Sequence, residues 1–130
     1  MIDHVDLVVT DFERSLAFYR GLLGPLGYTR ESPITGERGE RVLYLGRPAG
    51  EAIGLREAQS DVPHDRYAVG VHHLAFAVDS RAVVDERAAW LRSIGTEISG
   101  PQEYDYSPGY YAVFCFDPDG IKLELVHNPG

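Results

Sequence analysis

Only one cysteine, Cys115, occurs among the 130 residues. A lone thiol closes no internal disulfide and builds no thiolate zinc cluster, which points to a reducing compartment. Basic residues are also scarce, with 12 Lys and Arg against 20 Asp and Glu, a formal charge of −8 and a pI near 5.0. Such a chain has little with which to neutralise phosphates, so nucleic acid is excluded as a partner. There is no run of 18 apolar residues, and Met1-Ile2-Asp3-His4-Val5-Asp6 has neither the basic segment nor the apolar stretch of a signal peptide. The expectation is a soluble, cytoplasmic protein with no membrane partner. What is present suits a single globular domain: 44% hydrophobic, 11% aromatic and 25% charged residues, in a length that supports one core and not two.

The chain repeats itself. Ile2-Asp3-His4-Val5-Asp6-Leu7-Val8-Val9 matches Val71-His72-His73-Leu74-Ala75-Phe76-Ala77-Val78, an offset of 73 − 4 = 69. Both stretches read as half-buried strands. Each is followed by a helical pattern, through Phe12, Leu16, Tyr19 and Leu23 in the first half and Val83, Val84, Arg87, Leu91 and Ile94 in the second. Asp11 is the expected cap of the first helix and Asp79 or Ser80 of the second, while Gly24 or Gly27 and Gly95 supply the stops. Beyond the helices, Val42-Leu43-Tyr44-Leu45 leads into Arg47-Pro48-Ala49-Gly50, as Ala112-Val113-Phe114-Cys115 leads into Asp117-Pro118-Asp119-Gly120. Pro followed two residues later by Gly makes a tight turn between strands. The predicted fold is α+β, with two repeated β-α-β-β-β modules (1–58 and 71–130) joined by a polar linker (59–70) and forming an open eight-stranded half-barrel around a cleft.

These segments resemble the vicinal oxygen chelate superfamily, which includes glyoxalase I, bleomycin-resistance proteins, fosfomycin-resistance transferases and extradiol dioxygenases. The resemblance runs over nearly the whole chain. It rests on His4-Val5, Phe18-Tyr19 and Gly27-Tyr28 in the first half, and on His73-Leu74-Ala75-Phe76-Ala77-Val78 and Phe116-Asp117-Pro118-Asp119-Gly120-Ile121-Lys122-Leu123-Glu124-Leu125 in the second. It implies paired modules with a metal or a small ligand inside, and commonly a homodimer, in which modules pair within one chain or are exchanged between chains. A fold of this kind hosts many reactions.

Alternation along a strand turns His4 away from Val5 and Leu7, His73 away from Leu74 and Phe76, and Glu124 away from Leu123 and Leu125. Two imidazoles and a carboxylate then face one cleft, a three-ligand set suited to Fe, Mn, Ni or Zn. In glyoxalase I-like members a fourth ligand comes from the first module, at a place that the repeat gives to Gly54 or, one residue on, to Leu55. Neither binds a metal. A glycine there leaves room for a substrate, or marks a site that has decayed. Tyr44, Tyr110 and Phe114 are the expected substrate-binding walls, and Lys122 is the cation that faces the cleft. His72 is expected on the core side with a backbone partner, and His64 and His127 in solvent. Asp6 shares the face of His4, where an acidic residue is normally solvated.

Two functions fit these residues. One is a metal-dependent enzyme acting on a small oxygen-rich molecule, as a lyase or isomerase, a dioxygenase or a transferase. The other is a non-catalytic drug- or metabolite-binding protein of the bleomycin-resistance type.

Overall fold

Alternating burial along the first strand already sets the sheet's two faces: Leu7 and Val9 are buried, while Val8 between them is 57% exposed. A computed structural model describes residues 1–130. Its elements run β1 (His4–Val9), α1 (Phe12–Leu23), β2 (Arg30–Thr35), β3 (Arg41–Gly46), β4 (Ala52–Glu57), β5 (His73–Ala77), α2 (Arg81–Ser93), β6 (Ile98–Glu103), β7 (Tyr111–Phe116) and β8 (Lys122–His127). The chain divides into two compact units, Met1–Pro63 and His64–Gly130.

Each unit is one open four-stranded sheet with one helix. The strand orders are β1-β4-β3-β2 and β5-β8-β7-β6, the same order twice. In both, the first strand pairs in parallel with the last, and the remaining pairs are antiparallel. The α+β class and the twofold β-α-β-β-β plan are therefore as the sequence predicts. Pro33 and Pro101 fall on β2 and β6, the edge strands, where a missing N–H costs the ladder least.

The helices begin and end for local reasons. Asp11 caps α1, its Oδ1 accepting from the Arg14 N–H at 3.1 Å, and Ser80, not Asp79, caps α2 by accepting from the Val83 N–H at 3.3 Å. After α1 a short 3-10 turn, Gly24–Leu26, ends at Gly27 with φ 98°, a conformation that favours glycine. The core face of α1 carries Phe12, Leu16, Tyr19, Leu22 and Leu23, and that of α2 carries Val84, Ala88 and Leu91. Ile94, counted into the helical pattern, lies beyond α2 and is 47% exposed. The two Pro-Gly turns close as expected, with the Gly50 N–H on the Arg47 carbonyl and the Gly120 N–H on the Asp117 carbonyl, both at 3.0 Å. No helix is long and apolar enough to cross a membrane.

Candidate functional site

In the second unit, β5 and β8 lie side by side, with His73 opposite Lys122 and Ala75 opposite Glu124. This register brings His73 Nε2 to 3.3 Å from Glu124 Oε1. Glu124 is only 2% exposed. A carboxylate is retained at that depth only with partners, and its second oxygen has one, because the Tyr110 hydroxyl donates to Oε2. Burial, and then this bond, hold the Tyr110 phenol far above its ordinary range.

The other ring nitrogen of His73, Nδ1, lies 2.8 Å from Nδ1 of His72. Desolvation, with the neighbouring His73, Lys122 and Arg66, holds His72 below the ordinary histidine range. The two rings share this contact through their Nδ1 atoms, with Nε2 of His73 on the side of Glu124. His72 thus departs from its expected backbone partner. It orients the next residue instead, with Tyr67 standing edge-on to its ring at 5.0 Å. His127 departs too, closing β8 with Nδ1 3.2 Å from the Val78 carbonyl.

In the first unit, His4 opens β1 with its side chain 49% exposed. Its Nδ1 bonds Asp3 Oδ1 at 2.7 Å, and this bond holds its pKa above the ordinary range. Tyr44 stands edge-on to the ring at 5.6 Å. Both predicted histidine ligands therefore engage a partner through Nδ1, and Nε2 of His73 faces Glu124. That arrangement suits a metal-binding imidazole.

Strand register decides between Gly54 and Leu55. Gly54 pairs with Asp6 on β1 and Tyr44 on β3, just as Glu124 pairs with Ala75 on β5 and Phe114 on β7. Gly54 is the counterpart of Glu124. The room expected beside it is taken, because a Cβ there would lie 2.5 Å from Asp6 Oδ1 and 2.5 Å from Tyr44 Cε1. Two side chains from neighbouring strands fill the space that a larger residue would use. Asp6 is not a solvated strand residue either. Its Oδ2 accepts from the Tyr44 hydroxyl at 2.9 Å and from Arg56 Nε at 2.7 Å, and Arg56 Nη1 reaches Glu40 Oε2 at 3.3 Å. Asp6 Oδ1 is buried without a hydrogen-bond partner. Arg56, held strongly protonated by these bonds, is the residue that sequence reasoning missed. The available signal was a basic residue two places after Gly54 on the same strand face.

Of the three expected wall residues, Tyr44 is bound to Asp6 and Tyr110 to Glu124. Phe114 lines a cavity of about 470 Å3 within the second unit, together with Tyr104, Tyr106, Ser99 and Lys122. Cys115 also borders it, but its thiol is 1% exposed and burial pushes its pKa up to about 12, so it is no nucleophile. Nowhere in the chain do three His, Cys, Asp or Glu side chains gather around one point. The second unit supplies two of the three predicted ligands, and the third, His4, belongs to the first.

Known proteins share this plan. The family model described as "Glyoxalase/Bleomycin resistance protein/Dioxygenase superfamily" matches residues 1–125. An uncharacterized Bacillus subtilis protein, YqjT, is 32% identical over 129 residues, covering 95% of each chain. A lactoylglutathione lyase of Haemophilus influenzae is 32% identical over 130 residues, covering 96% of this chain and 90% of its own. Among solved structures, a glyoxylase/bleomycin resistance protein/dioxygenase domain from Frankia sp. EAN1pec superposes with a TM-score of 0.80 at 26% identity, covering 98% of this chain and 97% of the other.

Proposed function

The chain belongs to the glyoxalase/bleomycin resistance protein/dioxygenase superfamily, and from that premise we propose that it is a divalent-metal enzyme acting on a small oxygen-rich molecule, with His4, His73 and Glu124 as the metal ligands. The observation that carries this reading is Glu124, a buried carboxylate beside His73 Nε2 with Tyr110 fixing its other oxygen. Carboxylate and imidazole are donors that iron, manganese, nickel and zinc accept. When bound, such an ion supplies Lewis acidity toward two adjacent oxygens of the substrate.

The protein's own share is orientation. Tyr110 holds Glu124 in one rotamer, and His72 and Asp3 fix the ring planes of His73 and His4. A fourth protein ligand, as in the glyoxalase I-like pattern, has no source at Gly54. The carboxylate nearest that place, Asp6, is tied to Arg56. The reading is therefore of a three-donor site, with positions left for substrate.

The deciding experiment is elemental analysis of protein purified without chelator or affinity metal, beside a His4→Ala, His73→Ala double variant. The expected result is about one transition metal per chain in the parent and none in the double variant. A parent that holds no metal and takes up none on addition would overturn the reading. The aromatic cavity of the second unit favours, in that case, the second reading, a binding protein that holds its ligand without chemistry.

A further inference from the structure

The chain has a single lysine, Lys122, and it borders the cavity of the second unit. Its Nζ lies over the Phe114 ring, 4.8 Å from the centroid, and no carboxylate forms an ion pair with it. In a protein carrying −8, an unpaired half-buried cation stands out. A second cation lies close by. The Arg66 guanidinium sits 5.2 Å from the ring of Phe116, another cavity residue, and its Nε is buried without a hydrogen-bond partner. Glu97 is the one acidic residue on the cavity wall, and it is exposed to solvent.

Four aromatic rings, Tyr104, Tyr106, Phe114 and Phe116, share the remaining wall with Ile98, Ser99 and Cys115. Tyr104 and Tyr106 are stacked, 5.4 Å apart and 3° from parallel, and Tyr104 meets Phe114 edge-on at 5.5 Å. Flat rings around a cavity of about 470 Å3 suit a planar ligand of ordinary small-molecule size. A cationic ring would meet Lys122 already on the face of Phe114, whereas an anionic substituent would find there a charge that nothing else neutralises.

We propose that this cavity binds a planar aromatic carboxylate, its ring among Tyr104, Tyr106 and Phe114 and its carboxylate on Lys122. Phe114 is also the β7 partner of Glu124 and stands 6.4 Å from His73, ring to ring, so the cavity adjoins the two proposed metal ligands of the second unit. The inference names the substrate class for that site and to this extent rests on the metalloenzyme reading.

The test is isothermal titration of chelator-treated protein with benzoate, benzamide and benzamidine, three probes of one shape and different charge. Benzoate is expected to bind at least ten-fold more tightly than benzamide, and benzamidine more weakly than either. Lys122→Met should erase the preference for benzoate, Lys122→Arg should keep most of it, and Tyr104→Ala should weaken benzoate and benzamide alike. Equal affinities for benzoate and benzamide in the parent protein would overturn the proposal without recourse to any variant. So would a preference for benzamidine, or a Lys122→Met protein that still favours benzoate. Zinc uptake measured on the same samples keeps the two readings apart. Charge selectivity without zinc uptake sinks the metalloenzyme and supports the cavity ligand. Zinc uptake without charge selectivity does the reverse.

Discussion

At matched places in the two sheets, Asp6, Tyr44, Gly54 and Arg56 of the first unit stand where Ala75, Phe114, Glu124 and Val126 stand in the second. Each unit has one carboxylate at the junction of its parallel strand pair, but on opposite strands. In the second unit it projects from β8 and meets an imidazole and a phenol. In the first it projects from β1 across a glycine and meets a guanidinium. The exchange changes which strand carries the carboxylate and what it meets. A carboxylate facing Nε2 of a histidine can share a cation with that histidine. One neutralised by Arg56 cannot do so without first giving up a charge-assisted bond. The two units thus place one carboxylate between an imidazole and a phenol and the other in an ion network with arginine.

The largest expected effect tests that division directly. Glu124→Gln should lower metal affinity more than about 100-fold, since even outer partners of a metal site are worth about 10–100-fold. Asp6→Asn should leave metal affinity unchanged and lower the melting temperature instead, because Arg56 loses one of its two carboxylate partners. Competition against a colorimetric chelator measures the first quantity and calorimetry the second. If Asp6→Asn releases metal as Glu124→Gln does, the two carboxylates are equivalent and the contrast between the units disappears.

A smaller effect probes the packing behind it. Gly54→Ala should destabilise by about 1–3 kcal/mol, the usual cost of forcing a methyl group into filled space. The Cβ would lie 2.5 Å from atoms of both Asp6 and Tyr44. Adding Asp6→Ala to the same chain should recover a substantial part, a coupling that a double-mutant cycle in urea reads directly. Additive losses would mean that Asp6 does not occupy the space beside Gly54.

Those side-chain pairings were also what sequence reasoning reached least. The repeat, the caps at Asp11 and Ser80 and the Pro-Gly turns were legible because each depends on residues close together in the chain. The opposite facing of Glu124 and its leucine neighbours followed from strand alternation. Asp6 and Arg56 are 50 residues apart and meet only through the pairing of β1 with β4, and Tyr110 reaches Glu124 from outside its own strand. His72 was misplaced for a related reason. It lies just before β5 begins, so the alternation that assigned it to the core face did not apply. The aromatic run from Tyr104 to Tyr111 did mark the cavity region, but which rings would line it depended on a loop that periodicity cannot orient.

The units also differ in how their helices hold their edge strands, and here the expected effects are smallest. Arg20 of α1 grips Glu31 of β2 through two nitrogens, Nε to Oε2 at 2.6 Å and Nη2 to Oε1 at 2.7 Å. Arg81 of α2 reaches Glu103 of β6 through Nη2 alone. Arg20 holds the Glu31 carboxyl below its ordinary range. A carboxyl with a depressed folded pKa contributes stability above its unfolded pKa and loses it as pH falls through the folded one. Glu31→Gln should therefore cost no more than about 0.5 kcal/mol at pH 7, given a pair exposed to solvent, and nothing once acid has protonated the parent's carboxyl. Glu103→Gln should cost less still, because its side chain is 64% exposed against 37% for Glu31. Urea midpoints at pH 7 and pH 3, in low salt and in 1 M NaCl, separate charge attraction from hydrogen bonding. At 1 M salt the screening length is about 3 Å, so a Glu31→Gln deficit that survives there reflects the lost two-point hydrogen bonding of Arg20 and not the charge attraction.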